Sequence, residues 1–168
     1  PLIVQTVASE GWGIEDLWSA IEWHGQHLDS SGERAGRRRR LLGLAARELA
    51  HWCEQRSEFA QVLHPALPGS PGHAHWASHC RAAAGLFSVV FHEHIAAERV
   101  DAFVDALRLF KLGYSWAGPV SLAVPYALGG MRERPAWKGA LVRFSLGLEN
   151  VDDLIADCEQ ALKASGLR

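Results

Sequence analysis

The chain has 168 residues, 48% of them hydrophobic, and a formal net charge of −2. A chain of this size buries roughly 70% of its unfolded surface, enough for a core of its own. The near-neutral charge argues against a general nucleic-acid binder. Three isolated thiols, Cys53, Cys80 and Cys158, argue against a disulfide framework and suit a reducing cytoplasm.

Residues 2–7 (LIVQTV) are short, apolar and β-branched, and predict a strand. Pro1 in place of Met is read as a cut or processed start. Residues 9–13 form a loop, after which Ile14, Leu17, Trp18, Ile21 and Leu28 fall at helical spacing. Ser30-Ser31-Gly32 should end that helix. A second, long helix is expected from about Glu33 to Arg56, with Leu42, Ala45, Ala46, Leu49, Trp52 and Cys53 on one face. At 1.5 Å per residue it would be about 36 Å long.

Gln61-Val62-Leu63 reads as a short strand, followed by the Pro/Gly-rich stretch HPALPGSPGH and a short helix from His73 to Cys80. The plainest strand is 85–91, GLFSVVF. Val100, Phe103, Val104, Leu107 and Phe110 define an amphipathic helix. Residues 122–124 and 141–146 read as strands, with a loop over 125–139 between them. Val151, Leu154, Ile155, Cys158 and Leu162 mark a final helix, with Asp152 and Asp153 favourably placed in its first turn. The pattern from residue 60 onward predicts an α+β two-layer sandwich: a mixed or antiparallel sheet with helices on one face. The N-terminal strand and two helices are added to it. No apolar run approaches the roughly 18 residues of a membrane span, so no membrane partner is expected.

Three constellations invite a functional reading. His75 and His79 stand i, i+4 on a helix, a usable metal spacing, but no Cys-x-x-Cys or His-Glu-x-x-His pattern accompanies them. They are weak metal candidates, and no metal is expected. Arg37 to Arg40 could meet phosphates, yet four consecutive helical positions span nearly a full turn and make no stripe. A basic-helix binding module is therefore a secondary reading, and no nucleic acid is expected. Seven tryptophans suggest packing in the core or at an oligomer face.

Residues 62-VLHPALPGSPGH-73, 85-GLFSVVF-91, 100-VDAFVDALRLFKLGYSW-116 and 141-LVRFSLGLENVDDLIADCEQAL-162 resemble the C-terminal domain of cystathionine β-lyase. That protein belongs to the pyridoxal-phosphate-dependent Cys/Met metabolism family. The resemblance runs over roughly residues 50–168. It implies that Arg143 matches the arginine that binds the substrate α-carboxylate, with Ser115 and Trp116 in a Tyr-Ser-Trp-Gly-Gly segment beside it. A guanidinium fork suits that task because it pairs with a carboxylate through two parallel hydrogen bonds. Ala117 here replaces a glycine, and Pro119-Val120 replace an aromatic and an acid, which puts the loop's geometry in question. The family's Schiff-base lysine lies in a large domain, whereas Lys111, Lys138 and Lys163 fall in the small one.

Thr6 to Gly11, Gly13 to Trp18, His24, Ser31-Gly32 and Arg37 to Arg40 are similar to the end of methylmalonyl-CoA-mutase-associated G proteins (the MeaB/ArgK type). No P-loop string G-x-x-x-x-G-K-[ST] is present. The main expectation is a chimera, engineered or recombined. Residues 1–45 would be a G-protein-like fragment and 46–168 a lyase-like domain, the two joined inside the long helix between residues 38 and 52. It would be a non-enzyme without a cofactor, cytoplasmic, and a homodimer or higher homo-oligomer. The alternative is a truncated lyase-like domain that retains substrate-carboxylate binding through Arg143.

Overall fold

A computed structural model describes residues 3–128 and 136–168, with residues 34 and 35 described by their backbone only. The chain divides into two compact units, residues 1–39 and 40–168.

In the first unit, helix α1 spans Ile14–Ser30. Helix α2, Glu33–Glu54, begins in this unit and continues into the second. Gly32, at φ +71°, separates α1 from α2 in a left-handed turn that favours glycine. The strand predicted over residues 2–7 does not form: Val7 makes only an isolated bridge with Trp12, and residue 2 lies outside the described residues. The reason is physical. A β-branched run becomes a strand only where a neighbour accepts its backbone bonds, and this unit's described residues contain no other strand. Trp12, Trp18 and Trp23 are exposed, and α1 buries no residue.

The second unit is an α+β sandwich. Its strands are β1 (Phe59–Leu63), β2 (Leu86–Phe91), β3 (Lys111–Leu112), β4 (Leu122–Tyr126) and β5 (Leu141–Ser145). They form one sheet in the order β1-β2-β5-β4-β3. All pairings are antiparallel except β3 with β4. The helices are α3 (His73–His79), α4 (Ala97–Ala106) and α5 (Val151–Ala164), together with the C-terminal part of α2.

Side chains alternate across a sheet with period two. Phe87, Val89, Phe91, Ala123, Val142 and Phe144 therefore share one face, and all are buried with Leu49 and Cys53 of α2, Val100 and Phe103 of α4, and Leu154 and Leu162 of α5. The helical stripes read from the sequence are the faces that close this core. Asn150 caps α5 by accepting the N–H of Asp152 at 2.8 Å.

Several boundaries differ from expectation. Helix α2 ends at Glu54, two residues early, and β1 starts two residues before Gln61. Helix α4 stops at Ala106, because Leu107 turns extended and the chain leaves toward β3. Strand β3, Lys111-Leu112, has no apolar signature: both residues are exposed and are held by backbone pairing to Leu122 and Ala123. Of the loop predicted over 125–139, Pro125 and Tyr126 instead extend β4, and residues 129–135 lie outside the described residues. No helix of the described residues is long and apolar enough to cross a membrane.

Candidate substrate-binding site

Arg143 lies in the middle of β5, between Ser88 of β2 and Val124 of β4. Its neighbours Val142 and Phe144 point into the core, so the alternation of the strand sends Arg143 to the opposite face. There its Nη2 donates to the backbone carbonyls of Gly113, Tyr114 and Ser115 at 3.4, 2.8 and 3.2 Å. The guanidinium lies 5.8 Å from the centroid of the Tyr126 ring, within cation–π range. Tyr126 in turn meets Tyr114 edge-on at 6.1 Å.

Two properties of this arginine, shared with Arg38 and Arg56 elsewhere in the chain, bear on what it can bind. Its Nε is buried with no hydrogen-bond partner. It also forms no ion pair among the described residues, unlike Lys138 with Glu93, or Lys163 and Arg168 with Glu159. A half-buried cation is ordinarily paired. Here Nη2 is fastened to neutral carbonyls, which fixes the guanidinium plane, and neither Nη1 nor the buried Nε bonds to a described residue. The arrangement can offer Nη1 to an anion through a charge-assisted hydrogen bond.

The loop that supplies the carbonyls is tied down along its length. Ser145 Oγ accepts the N–H of Ala117 at 3.4 Å. Ala117 takes φ +61°, the left-handed region, which is the position where the resemblance expected glycine. Ser121 donates its N–H and its hydroxyl to the two carboxylate oxygens of Glu149 at 2.9 and 2.7 Å. The Ser121 hydroxyl also accepts the N–H of Gly147 at 2.8 Å. Gly147 must be glycine for space: a Cβ there would collide with the backbone of Pro119 and Val120.

Of the residues expected at the site, Arg143 and Ser115 are brought together, through the Ser115 carbonyl rather than its hydroxyl. Trp116 follows in the same loop and is exposed. Leu112, Tyr114 and Val120 are exposed near it in sequence, and Leu148 is exposed where its N–H meets the Pro119 carbonyl, an apolar collar on the segments that carry the site. The sequence reading missed Tyr126, Ser145 and Glu149. The only signal for them was their nearness in sequence to Arg143 or to the Tyr-Ser-Trp segment.

The histidine constellation does not converge. His79 Nδ1 sits 2.9 Å from the His75 carbonyl and 2.8 Å from the Ser78 hydroxyl, so it is engaged within its own helix. Among the described residues no group of three or more His, Cys, Asp or Glu could hold a metal ion. His73 Nδ1–H donates to the Pro65 carbonyl at 2.8 Å and folds the Pro/Gly-rich stretch back on itself. His64 is fully buried, and its Nδ1 accepts the N–H of Ala66 at 3.3 Å. Burial pushes its ring below the usual histidine range, Arg47 adds to this, and its own backbone and Glu54 oppose it.

Comparison with known proteins gives the family of this α+β unit. The model of the Cys/Met metabolism PLP-dependent enzymes matches residues 38–163. The chain belongs to that family. It is 38% identical to cystathionine beta-lyase of Salmonella typhimurium over 146 residues, 79% of this chain and 37% of the relative. It is 36% identical over 120 residues to L-alanine/L-glutamate racemase of Wolbachia pipientis wMel, 70% of this chain and 30% of the relative. Among solved structures, metB from Corynebacterium glutamicum matches with a TM-score of 0.66 and 30% identity, over 79% of this chain and 34% of that one. The chain thus spans about a third of the length of these relatives.

These findings correct two expectations. The chain was expected not to be an enzyme, yet its family and its named relatives are enzymes. The chimera reading is supported only in its lyase-like part, because the family match starts at residue 38 and no finding supports a MeaB/ArgK-like part or an engineered origin. The family implies pyridoxal phosphate, and this chain's lysines do not fit a Schiff-base role. Lys111 is exposed with Nζ on the Arg108 carbonyl at 2.6 Å. Lys138 and Lys163 are exposed and paired to Glu93 and Glu159. No step through that cofactor is assigned to these residues.

Proposed function

We propose that the chain supplies the substrate-carboxylate portion of the active site of a PLP-dependent carbon–sulfur lyase. Arg143 is the anchor, and the 113–116 loop with Ser115 and Trp116 forms its rim. The observation that carries this reading is a half-buried guanidinium whose described hydrogen bonds go only to neutral carbonyls. Such a cation gains most from an anion that accepts a charge-assisted hydrogen bond. An amino-acid α-carboxylate is that anion, and it is common to the substrates of a lyase and of an amino-acid racemase.

In this reading Arg143 binds and orients, and proton transfer belongs to groups other than the three lysines of this chain. The exposed apolar collar of Leu112, Tyr114, Trp116, Val120 and Leu148 is a surface that association would cover, which supports a homo-oligomer. The free state of Cys53, Cys80 and Cys158 supports a reducing, cytoplasmic setting. The G-protein resemblance of residues 1–45, and with it a division at 45/46, rests on those residues alone and adds no activity to the reading.

The test is binding of L-alanine to the chain and to Arg143→Ala. Millimolar or weaker binding that disappears on substitution supports the reading, since one charge-assisted contact supplies little net affinity. Binding that survives the substitution contradicts it.

A further inference from the structure

We propose that Asp157, on α5 and on the core side of the sheet, is a positioning residue for Arg143. The inference rests on Arg143 being the carboxylate anchor. Asp157 is 5% exposed, and its carboxylate is enclosed by backbone. Arg108 N–H donates to Oδ1 at 2.8 Å and Oδ2 at 3.1 Å. Leu109 and Phe110 N–H donate to Oδ2 at 2.8 and 3.3 Å. Gln160 Nε2 completes the set by donating to Oδ1 at 3.0 Å and to the Ala106 carbonyl at 2.7 Å.

Three consecutive N–H groups turned toward one anion fix the path of the chain as it leaves α4, because they bond to no other acceptor among the described residues. That path leads directly to the site. Lys111 N–H donates to the Ser121 carbonyl at 2.9 Å, Lys111 and Leu112 pair with β4, and Gly113, Tyr114 and Ser115 then turn their carbonyls onto Nη2 of Arg143. Only Lys111 and Leu112 separate the last N–H held by Asp157 from the first carbonyl held by Arg143. The far end of the loop is fixed at Ser121 by Glu149. Asp157 therefore fixes the near end, and with it the plane in which Arg143 presents its free nitrogen.

The experiment compares the full chain with Asp157→Asn and Val100→Ala by nitrogen-detected NMR of arginine side chains. Val100, fully buried on α4, lies outside residues 108–121 in sequence and supplies a loss of core stability. Asp157→Asn keeps the shape of the side chain but turns an N–H₂ toward donors. The expected result is that Arg143 Nη signals, resolved in the wild type, collapse toward those of a free arginine in Asp157→Asn and stay resolved in Val100→Ala. L-alanine binding should weaken by roughly tenfold or more in Asp157→Asn alone. If Asp157→Asn does not fold, Gln160→Met, which removes the side-chain donor to Oδ1, should broaden the same signals. Arg143 signals unchanged in the folded Asp157→Asn, or in Gln160→Met where that stands in for it, or lost equally in Val100→Ala, overturn the proposal. A wild type that binds no L-alanine refutes the anchor role of Arg143, while the NMR comparison still decides what Asp157 positions.

Discussion

Ser145 Oγ accepts the backbone N–H of Ala117 at 3.4 Å, and Ala117 is held at φ +61°. A non-glycine residue pays about 1–2 kcal/mol in that left-handed region. The hydrogen bond from β5 and the bonds at Ser121 hold the turn there against this strain. Ala117→Gly should therefore stabilise the protein, by about 0.5–1 kcal/mol once the added freedom of the unfolded chain is counted. Urea denaturation of the two proteins measures this directly, and a variant less stable than the wild type would show that the turn is not strained.

Phe144 is fully buried on β5, with its ring 5.3 Å from Phe87 and 5.1 Å from Phe110. Phe144→Ala should cost about 3–5 kcal/mol. Since Phe144 is next to Arg143 but on the other face, a conservative Phe144→Leu should lower stability while leaving carboxylate binding near the wild-type value. Denaturation and binding measured on the same preparation separate the two effects.

His64 gives the fold a dependence on pH. The folded protein holds its ring neutral below the usual 6.5, chiefly through burial. The unfolded chain takes up a proton near that value and the folded one does not. Stability is therefore highest above about pH 6.5 and falls as pH drops from there toward the lowered folded value. His64→Gln should flatten this fall, as measured by urea midpoints across about pH 7.5 to 5. An equal slope in both proteins would assign the dependence to other groups.

The three thiols should differ in reactivity. Cys53 and Cys158 are buried in the core, and burial pushes both thiols well above the ordinary cysteine range. Cys80 is exposed at the end of α3. The thiolate is the reactive form, so a thiol reagent should label Cys80 in the native protein and reach the other two only on unfolding. Prompt labelling of more than one thiol per chain would contradict the core arrangement.

Much of the core was legible in the sequence. Val100, Phe103 and Val104, and Leu154, Cys158 and Leu162, announced α4 and α5 because a helix buries every third or fourth side chain. The runs around Val89 and Val142 announced central strands. Residues 2–7 misled because the same β-branched signal appears whether or not a partner strand exists. Lys111-Leu112 was invisible because backbone pairing alone holds it. Arg143 was found through resemblance, but its carbonyl cradle was not, since carbonyls carry no sequence signature. Asp157 carries no signature in the sequence, and only the folded chain brings residues 108–110 onto it.

The central claim is that Arg143 presents an anion-binding nitrogen to an amino-acid carboxylate. NMR titration of the full chain with L-alanine, against L-alaninamide as the matched ligand lacking the carboxylate, tests it most directly. The prediction is saturable shifts in the Arg143 side chain and residues 113–116 with L-alanine, none with L-alaninamide, and none with either ligand in Arg143→Lys. Shifts that are absent from Arg143, or equal for the acid and the amide, would contradict it.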